Sequence, residues 1–281
     1  MIKRIWIGVL LFGVTFQLSA QEKSDKSDTS FVKRIVLKHK AKRIAKAERF
    51  DNYAVFGPTT GSVTTQDTRM SPNIYSGSFF GGKIGLIETS EKWFSYFNGE
   101  FSTASLSAKN HDLTSGYSFN YAVWEYGVLR KTGLLKNQIA IGAKLDGFVA
   151  LRLHSGIGNS SFNIDVPFGI SPMVRWQHNS NILKRPVWLY GQFSFNAFSG
   201  IYRAPTFNIN LNDGAFATAY PTRFNHLRID LGMVPRFKWS NENRMGIHYS
   251  LDMYQLHEDE GYYQITNVQH LFSFTYWLKF R

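Results

Sequence analysis

The chain has 281 residues, contains no cysteine and carries a formal net charge of +12 at pH 7. The absence of cysteine excludes a disulfide framework and an N-terminal lipid anchor attached through cysteine. Aromatic residues make up 16% of the chain and charged residues 19%, a balance that fits the aromatic girdles and alternating strands of a membrane β-barrel. We predict no cofactor and no nucleic-acid partner.

The first 20 residues follow the order of a secretory signal peptide. Lys3 and Arg4 precede an apolar run over 5–16, and the small residues of Leu18-Ser19-Ala20 follow it. This order predicts cleavage after Ala20 and export. No apolar stretch of about eighteen residues follows, which excludes a spanning helix. A soluble secreted domain and a transmembrane barrel remain.

Residues 21–50 are predicted to form a basic periplasmic segment. The part from 31 to 49 has eight Lys or Arg and one Glu. Its apolar residues follow only an approximate helical stripe, so an amphipathic helix and a disordered arm both stay open. Contact with anionic headgroups or an acidic partner is predicted through its basic side chains; these are Lys33, Arg34, Lys38, Lys40, Lys42 and Arg43. A solvated leader is the alternative.

From about residue 52 onward, alternate residues differ in polarity, which predicts β-strands. One face is apolar, while the other carries charges of both signs. A dry sandwich core would have to pair every one of these charges, whereas a barrel lumen accepts them. The sequence therefore predicts an all-β fold, a transmembrane antiparallel β-barrel over 51–281. Its ten strands are about 52–62, 75–88, 94–105, 117–130, 137–153, 163–176, 186–199, 226–239, 244–255 and 267–281.

The predicted connections alternate between two lengths. The short ones are 88–93, 131–136, 178–185 and 239–243. The longer ones are 62–74, 106–116, 154–161, 199–225 and 257–263. Outer-membrane barrels keep short turns in the periplasm and long loops outside, so we expect both ends of the barrel domain to be periplasmic. The long loop at 199–225 is the predicted contact surface.

Charged residues of both signs are predicted to fill the lumen. By strand alternation, the interior set is Glu100, Lys144, Asp146, Arg152, Asp165, Arg175, Arg228, Asp230, Arg236, His248 and Asp252. Ten strands enclose a space only slightly wider than one that side chains fill. A side-chain-filled lumen is the leading hypothesis, and a narrow passive channel is an alternative.

The run Arg175-x-x-His178-x-Ser180-Asn181 resembles the signature of barrel lipid hydrolases of the phospholipase and lipid A deacylase types. The resemblance implies that His178 is the base, Ser180 the nucleophile and Gln192 the orienting group, because a third polar group must hold the imidazole. Three features oppose it. Gln192 faces the lumen by alternation, Ile182 replaces the Gly or Ala of those families, and the predicted topology puts this turn in the periplasm.

Metal candidates lie in the predicted outer loops. Imidazoles and carboxylates there would suit a divalent cation; the principal candidates are His111, His257 and Asp259, beside Asp112, His154, Glu258 and Glu260. The omptin proteases are also ten-stranded barrels, and they use paired aspartates and an Asp-His pair near the rim. No Asp-x-Asp or Asp-x-His occurs in this chain, so that resemblance stops at the strand count.

Two segments resemble an uncharacterised family of predicted outer-membrane barrels in Bacteroidota. They are "DTRMSPNIYSG" at 67–77 and the ending "HLFSFTYWLKFR" at 270–281. The resemblance implies the outer membrane of a Gram-negative cell and offers no catalytic residues. The leading hypothesis is therefore a non-enzymatic barrel, embedded in outer-membrane lipid, with a structural, binding or accessory role.

Overall fold

The computed structural model describes residues 51–68, 71–108, 117–154, 161–182, 185–203, 215–219, 224–235, 242–257 and 264–280. The signal peptide and the basic segment predicted in 1–50 lie outside these ranges. Within them, no helix is long and apolar enough to cross a membrane.

The described ranges contain twelve antiparallel strands. They are β1 (Asp51–Asp67), β2 (Ser71–Thr89), β3 (Trp93–Ala108), β4 (Tyr117–Lys131), β5 (Ile139–His154), β6 (Ser161–Ile182), β7 (Arg185–Phe195), β8 (Phe198–Arg203), β9 (Ala215–Ala219), β10 (Phe224–Pro235), β11 (Arg244–His257) and β12 (Gln264–Phe280). A single 3-10 turn, Leu134–Asn137, lies between β4 and β5.

Ten of the strands close into a barrel, as the sequence predicts. Their order is β5-β4-β3-β2-β1-β12-β11-β10-β7-β6, and β6 pairs with β5 to complete the ring. A row of paired residues that leaves β1 at Asp51 returns to β1 at Val63, a stagger of 12 residues. Closure with this stagger requires strands tilted by about 40°.

Side chains alternate strictly between the lumen and the outer surface. On β12, Phe272 and Phe274 are each 52% exposed on the outside, while Ser273 and Thr275, which alternate with them, are buried. Successive Cβ atoms of a strand point to opposite faces, so a single choice of phase decides the surroundings of the whole strand. The predicted phase of the C-terminal strand is confirmed.

The prediction of a loop at 62–74 is wrong, because β1 and β2 occupy most of this range. β1 continues to Asp67 and β2 begins at Ser71. From Thr60 to the C-terminal end of β1, the outward side chains are polar. This part of the strand therefore lacks the apolar face by which a strand is recognised in the sequence. Pairing of this part of β1 with β12 nevertheless continues as far as Asp67↔Ile265.

The predicted loop at 199–225 also contains strand. β8 extends β7 along β6, and the register changes from Met173↔Ser194 to Ile170↔Phe198, which inserts one extra residue. This is a β-bulge at 196–197, and bulges bend and twist the strand that carries them. β9 pairs with β8 in turn. The β7–β10 hairpin therefore continues, as the pair β8 and β9, beyond the outer end at which β7 and β10 pair. Residues 204–214 lie outside the described ranges.

The predicted turn at 178–185 is much shorter than expected. β6 and β7 remain paired as far as Ile182↔Arg185, which leaves only 183–184 between the two strands. His178 and Ser180 therefore belong to β6 rather than to a loop. Their polar character marks the outer face of a strand near its end, and sequence alone could not separate that from a turn.

Candidate functional site in the barrel lumen

The lumen contains a buried charged network centred on Arg228 of β10. Its guanidinium donates two hydrogen bonds of 2.8 Å to the two carboxylate oxygens of Glu100. The Nε donates to Asp230 at 3.0 Å, and Nη1 donates to Asp252 at 3.4 Å. Hydrogen bonds to three carboxylates offset the cost of removing a guanidinium from water. Arg228 thereby joins β3, β10 and β11 across the interior.

Two lysines extend the network to neighbouring strands. Lys83 Nζ donates to Glu100 at 2.6 Å. Lys144 Nζ donates to Glu125 at 2.5 Å and lies 3.4 Å from Asp146. The side chain of Lys144 is 1% exposed, and a buried ammonium requires such partners. The cations and carboxylates are therefore ion-paired with one another inside the barrel.

His226 connects the two halves of the network. Its Nδ1 lies 3.3 Å from Asp146, and its Nε2 lies 2.9 Å from Asp252. The hydroxyl of Ser171 donates to Asp146 at 2.9 Å, and that of Tyr121 donates to Asp252 at 3.3 Å. Both carboxylates thus have partners on more than one side, so neither is presented to a substrate.

An aromatic layer closes the lumen on the side away from the termini of the barrel. Phe148 stands at its centre, with its ring centroid 4.7 Å from that of Tyr254 and 5.1 Å from that of Tyr121. Phe224 and Leu256 belong to the same buried cluster. Rings at these spacings add to the stability gained by burying them, and they separate the charged network from the outer mouth.

Stacked arginines occupy the end of the lumen near the termini. The Cζ atom of Arg175 lies 4.2 Å from the ring centroid of Phe94 and 4.0 Å from that of Tyr190. The Cζ atom of Arg244 lies 3.4 Å from the ring centroid of Trp188. A guanidinium over an aromatic face is stabilised even when desolvated. These contacts close the second end.

A second polar layer lies above the aromatic cluster. Arg152, fully buried, is ion-paired with Asp165 and lies 3.4 Å from Asp67. It also donates to the hydroxyl of Tyr254 at 3.1 Å. Asn163 donates to Asp67 at 2.8 Å. Charged and aromatic layers therefore alternate along the barrel axis.

Two cavities bordered by described residues of the lumen are small enough to hold only water. One of about 50 Å³ is bordered by Lys83, Tyr96 and Gln192. A second, of about 10 Å³, lies against Asp146 and His226. One water occupies about 30 Å³ in the liquid, whereas ligand pockets span roughly 300–1,000 Å³. The packed layers can hold the barrel closed and leave little room for a substrate.

The structure confirms the predicted interior. Ten of the eleven charged residues assigned to the lumen are buried: Glu100, Lys144, Asp146, Arg152, Asp165, Arg175, Arg228, Asp230, His248 and Asp252. The eleventh, Arg236, lies outside the described part of the chain. Period-two alternation was sufficient to place them.

Three members of the network, Lys83, Glu125 and His226, are absent from the predicted set. Lys83 lies on β2 among Gly81, Gly82 and Gly85, which have no side chains to reveal the phase of the strand. Glu125 lies on β4, whose inward neighbours Val123 and Leu129 are apolar and buried. Both faces of β4 look apolar in sequence, so no local signal marks Glu125 as interior.

The hydrolase candidates are not brought together. His178 stacks on the outward-facing Trp176, with ring centroids 5.8 Å apart, and Ser180 follows on the same side of β6. Gln192 is buried in the lumen, where it accepts a hydrogen bond from Arg175 and donates one to Tyr96. The barrel wall therefore separates Gln192 from the imidazole that it was expected to orient.

Only some of the metal candidates lie in the part of the chain that the structure describes. His111 and Asp259 lie outside the described ranges, as do Asp112, Glu258 and Glu260. His257 ends β11, and His154 ends β5, where its Nε2 lies 2.6 Å from the hydroxyl of Tyr75. Among the residues that the structure describes, no three His, Asp or Glu side chains are arranged to hold a metal ion.

The outer surface is apolar around the whole barrel. One large side chain from each strand of the ring is between 41% and 58% exposed: Phe56, Ile84, Phe97, Trp124, Leu145, Ile170, Phe193, Leu231, Ile247 and Phe274. A continuous apolar belt of this kind is unfavourable in water and matches hydrocarbon. Closed barrels also leave no backbone edge unpaired in lipid. The chain is an outer-membrane β-barrel.

Several solved outer-membrane barrels are similar to this chain at low sequence identity. The outer membrane protease OmpT from Escherichia coli is 7% identical with a TM-score of 0.49, over 82% of this chain and 96% of that one. The autotransporter translocator domain of NalP from Neisseria meningitidis is 7% identical with a TM-score of 0.40, over 88% and 97%. The β domain of the Bordetella autotransporter BrkA is 10% identical with a TM-score of 0.43, over 82% and 100%. No protein-family model and no curated protein sequence matches the chain.

Proposed function

We propose that this barrel is non-enzymatic and non-conducting and has a structural, binding or accessory role in the outer membrane. The supporting observation is the packed lumen, in which Arg228 and its carboxylate partners are buried between aromatic layers. A channel is less well supported because the two cavities bordered by described lumen residues are of water size. A lipid hydrolase is less well supported because Gln192 and His178 lie on opposite faces of the wall.

The binding role is assigned to the outer end of the β7–β10 hairpin. Among the strands that the structure describes, β9 pairs only with β8. Its other edge has no strand partner within the described ranges, and such an edge is a template for an added strand. We infer an external protein partner at this end.

The basic segment within 21–50 is proposed to bind periplasmic anionic headgroups or an acidic partner. Membership of the Bacteroidota family is proposed from the resemblance of the segments 67–77 and 270–281.

Planar-bilayer recording tests the closed lumen. We expect the refolded wild-type barrel to insert without measurable single-channel conductance, because charged and aromatic layers fill its cross-section. A refolded porin incorporated under the same conditions serves as the positive control. Stable unitary currents from the wild-type protein would establish the channel hypothesis instead.

Cysteine labelling tests the orientation. The chain has no native cysteine, so Ser180→Cys and Asn210→Cys each create a single thiol. With a membrane-impermeant maleimide on intact cells, we expect labelling of the residue-210 variant only. The residue-180 variant should become labelled once the envelope is permeabilised. Labelling of the residue-180 variant on intact cells would invert the barrel and place His178 at the outer leaflet.

A further inference from the structure

A groove of about 280 Å³ lies on the outer face of the barrel, near the end that carries the termini of the barrel. Its lining includes Asn52, Glu88 and Ser95 toward that end and Leu86, Phe97 and Tyr126 toward the middle of the barrel. The polar part therefore lies at the edge of the apolar belt and the apolar part within it. This is the polarity gradient of a phospholipid at a membrane surface.

The strand register explains why the groove exists. Glu88 pairs with Asn52 on one side and with Ser95 on the other. One outward position further into the belt, Phe97 pairs with Leu86 and with Tyr126. Small side chains at Asn52 and Ser95 next to larger neighbours leave a depression in an otherwise filled surface. The groove is thus built by the sequence of four adjacent strands, β1 to β4.

Two opposite charges flank the polar end of the groove. Glu88 and Arg130 are both exposed on the outer face, and neither forms an ion pair with another described residue. The row through Glu88 reaches Val128 on β4, and Arg130 lies two positions nearer the terminal end. Because of the stagger of the barrel, a row of paired residues rises along the barrel axis by about two positions over two strands. Glu88 and Arg130 therefore lie at nearly the same height along that axis. Two strand spacings across and two residues along β4 separate their Cα atoms by about 12 Å.

We propose that this groove binds one phospholipid with a zwitterionic, primary-ammonium headgroup. The Glu88 carboxylate accepts hydrogen bonds from the ammonium, and the Arg130 guanidinium donates to the phosphate. Leu86, Phe97 and Tyr126 contact the glycerol and the first acyl carbons. Trp93 pairs with Arg130 on the same face and is 50% exposed, as expected for an aromatic side chain at a headgroup boundary.

Native mass spectrometry of the folded barrel in detergent tests the site. After delipidation, the protein is titrated with phosphatidylethanolamine, phosphatidylcholine or phosphatidylglycerol of identical acyl chains. We expect one phosphatidylethanolamine to bind at least tenfold more tightly than the other two lipids. Glu88→Gln should abolish the preference over phosphatidylcholine, and Arg130→Gln should weaken binding of both zwitterionic lipids. The lipid that stays bound to the protein in detergent depends neither on the orientation of the barrel in the membrane nor on its conductance.

Matched controls lie in the adjacent turn. Glu91 and Lys92 are exposed between β2 and β3, so Glu91→Gln and Lys92→Gln remove the same charges a few residues away. We expect both controls to bind phosphatidylethanolamine like the wild type. Equal losses in Glu91→Gln and Glu88→Gln, equal affinity for all three lipids, or unchanged binding in Glu88→Gln would each overturn the proposal.

Discussion

Arg228→Ala is expected to destabilise the folded barrel by about 3–5 kcal/mol, because it leaves buried carboxylates without their partner. Glu100, Asp230 and Asp252 all bond to this guanidinium, whose side chain is 1% exposed. The burial of these carboxylates limits the access of water that could replace the guanidinium. The measurement is reversible urea unfolding in lipid vesicles, followed by tryptophan fluorescence.

A matched control for this variant is Arg130→Ala, which removes an exposed arginine from the outer face of β4. Surface substitutions usually change stability by less than about 0.5 kcal/mol. The double variant Arg228→Ala with Glu100→Gln should be less destabilised than the sum of the single variants, because the two residues share one interaction. An unfolding midpoint of Arg228→Ala equal to that of Arg130→Ala would contradict a structural role for the network.

Phe148→Ala is expected to cost about 3–5 kcal/mol, through lost burial and the cavity left behind. Phe148 is 2% exposed and packs against Tyr121, Phe224 and Tyr254. The same urea titration measures the loss. Conductance should stay absent, because the charged network around Arg228 closes the lumen independently.

The control for the aromatic layer is Phe274→Ala, on the lipid-facing side of β12. Lipid chains fill the space left by that ring, so no cavity forms and the cost should stay below about 2 kcal/mol. If Phe148→Ala and Phe274→Ala destabilise the barrel equally, the inward ring has no special packing role. Conductance in Phe148→Ala would show that the aromatic layer alone seals the barrel.

The alternation of charged and aromatic layers gives the barrel two kinds of interior contact. Ion pairs require defined geometry, since each buried charge must meet its partner, while aromatic clusters tolerate adjustment and exclude water. Together they join strands distant in sequence; Arg228 and Glu100, for example, are 128 residues apart. Such contacts make a static scaffold for the outer rim, where the β8–β9 extension lies.

Much of the candidate site is readable from local sequence. Period-two alternation places Arg228, Asp230 and Asp252 inside, because the face to which a side chain points depends only on its position within its own strand. Strand phase is invisible at Lys83, where glycines surround it, and at Glu125, where both faces are apolar. The partner of each charge is unreadable for a different reason, since register across the barrel is set by all ten strands together.

The sequence by itself determined the strand number of the barrel, the alternation and most of the charged residues of the lumen, because these follow from local periodicity and composition. The separation of Gln192 from His178 by the barrel wall also follows already from strand alternation in the sequence. Only the tertiary structure decided which charges meet, that β1 extends past its apolar face to Asp67, and that 199–225 contains two strands. Pairing between strands supplies these facts, since a hydrogen-bonded partner can maintain a strand whose own side chains no longer indicate one.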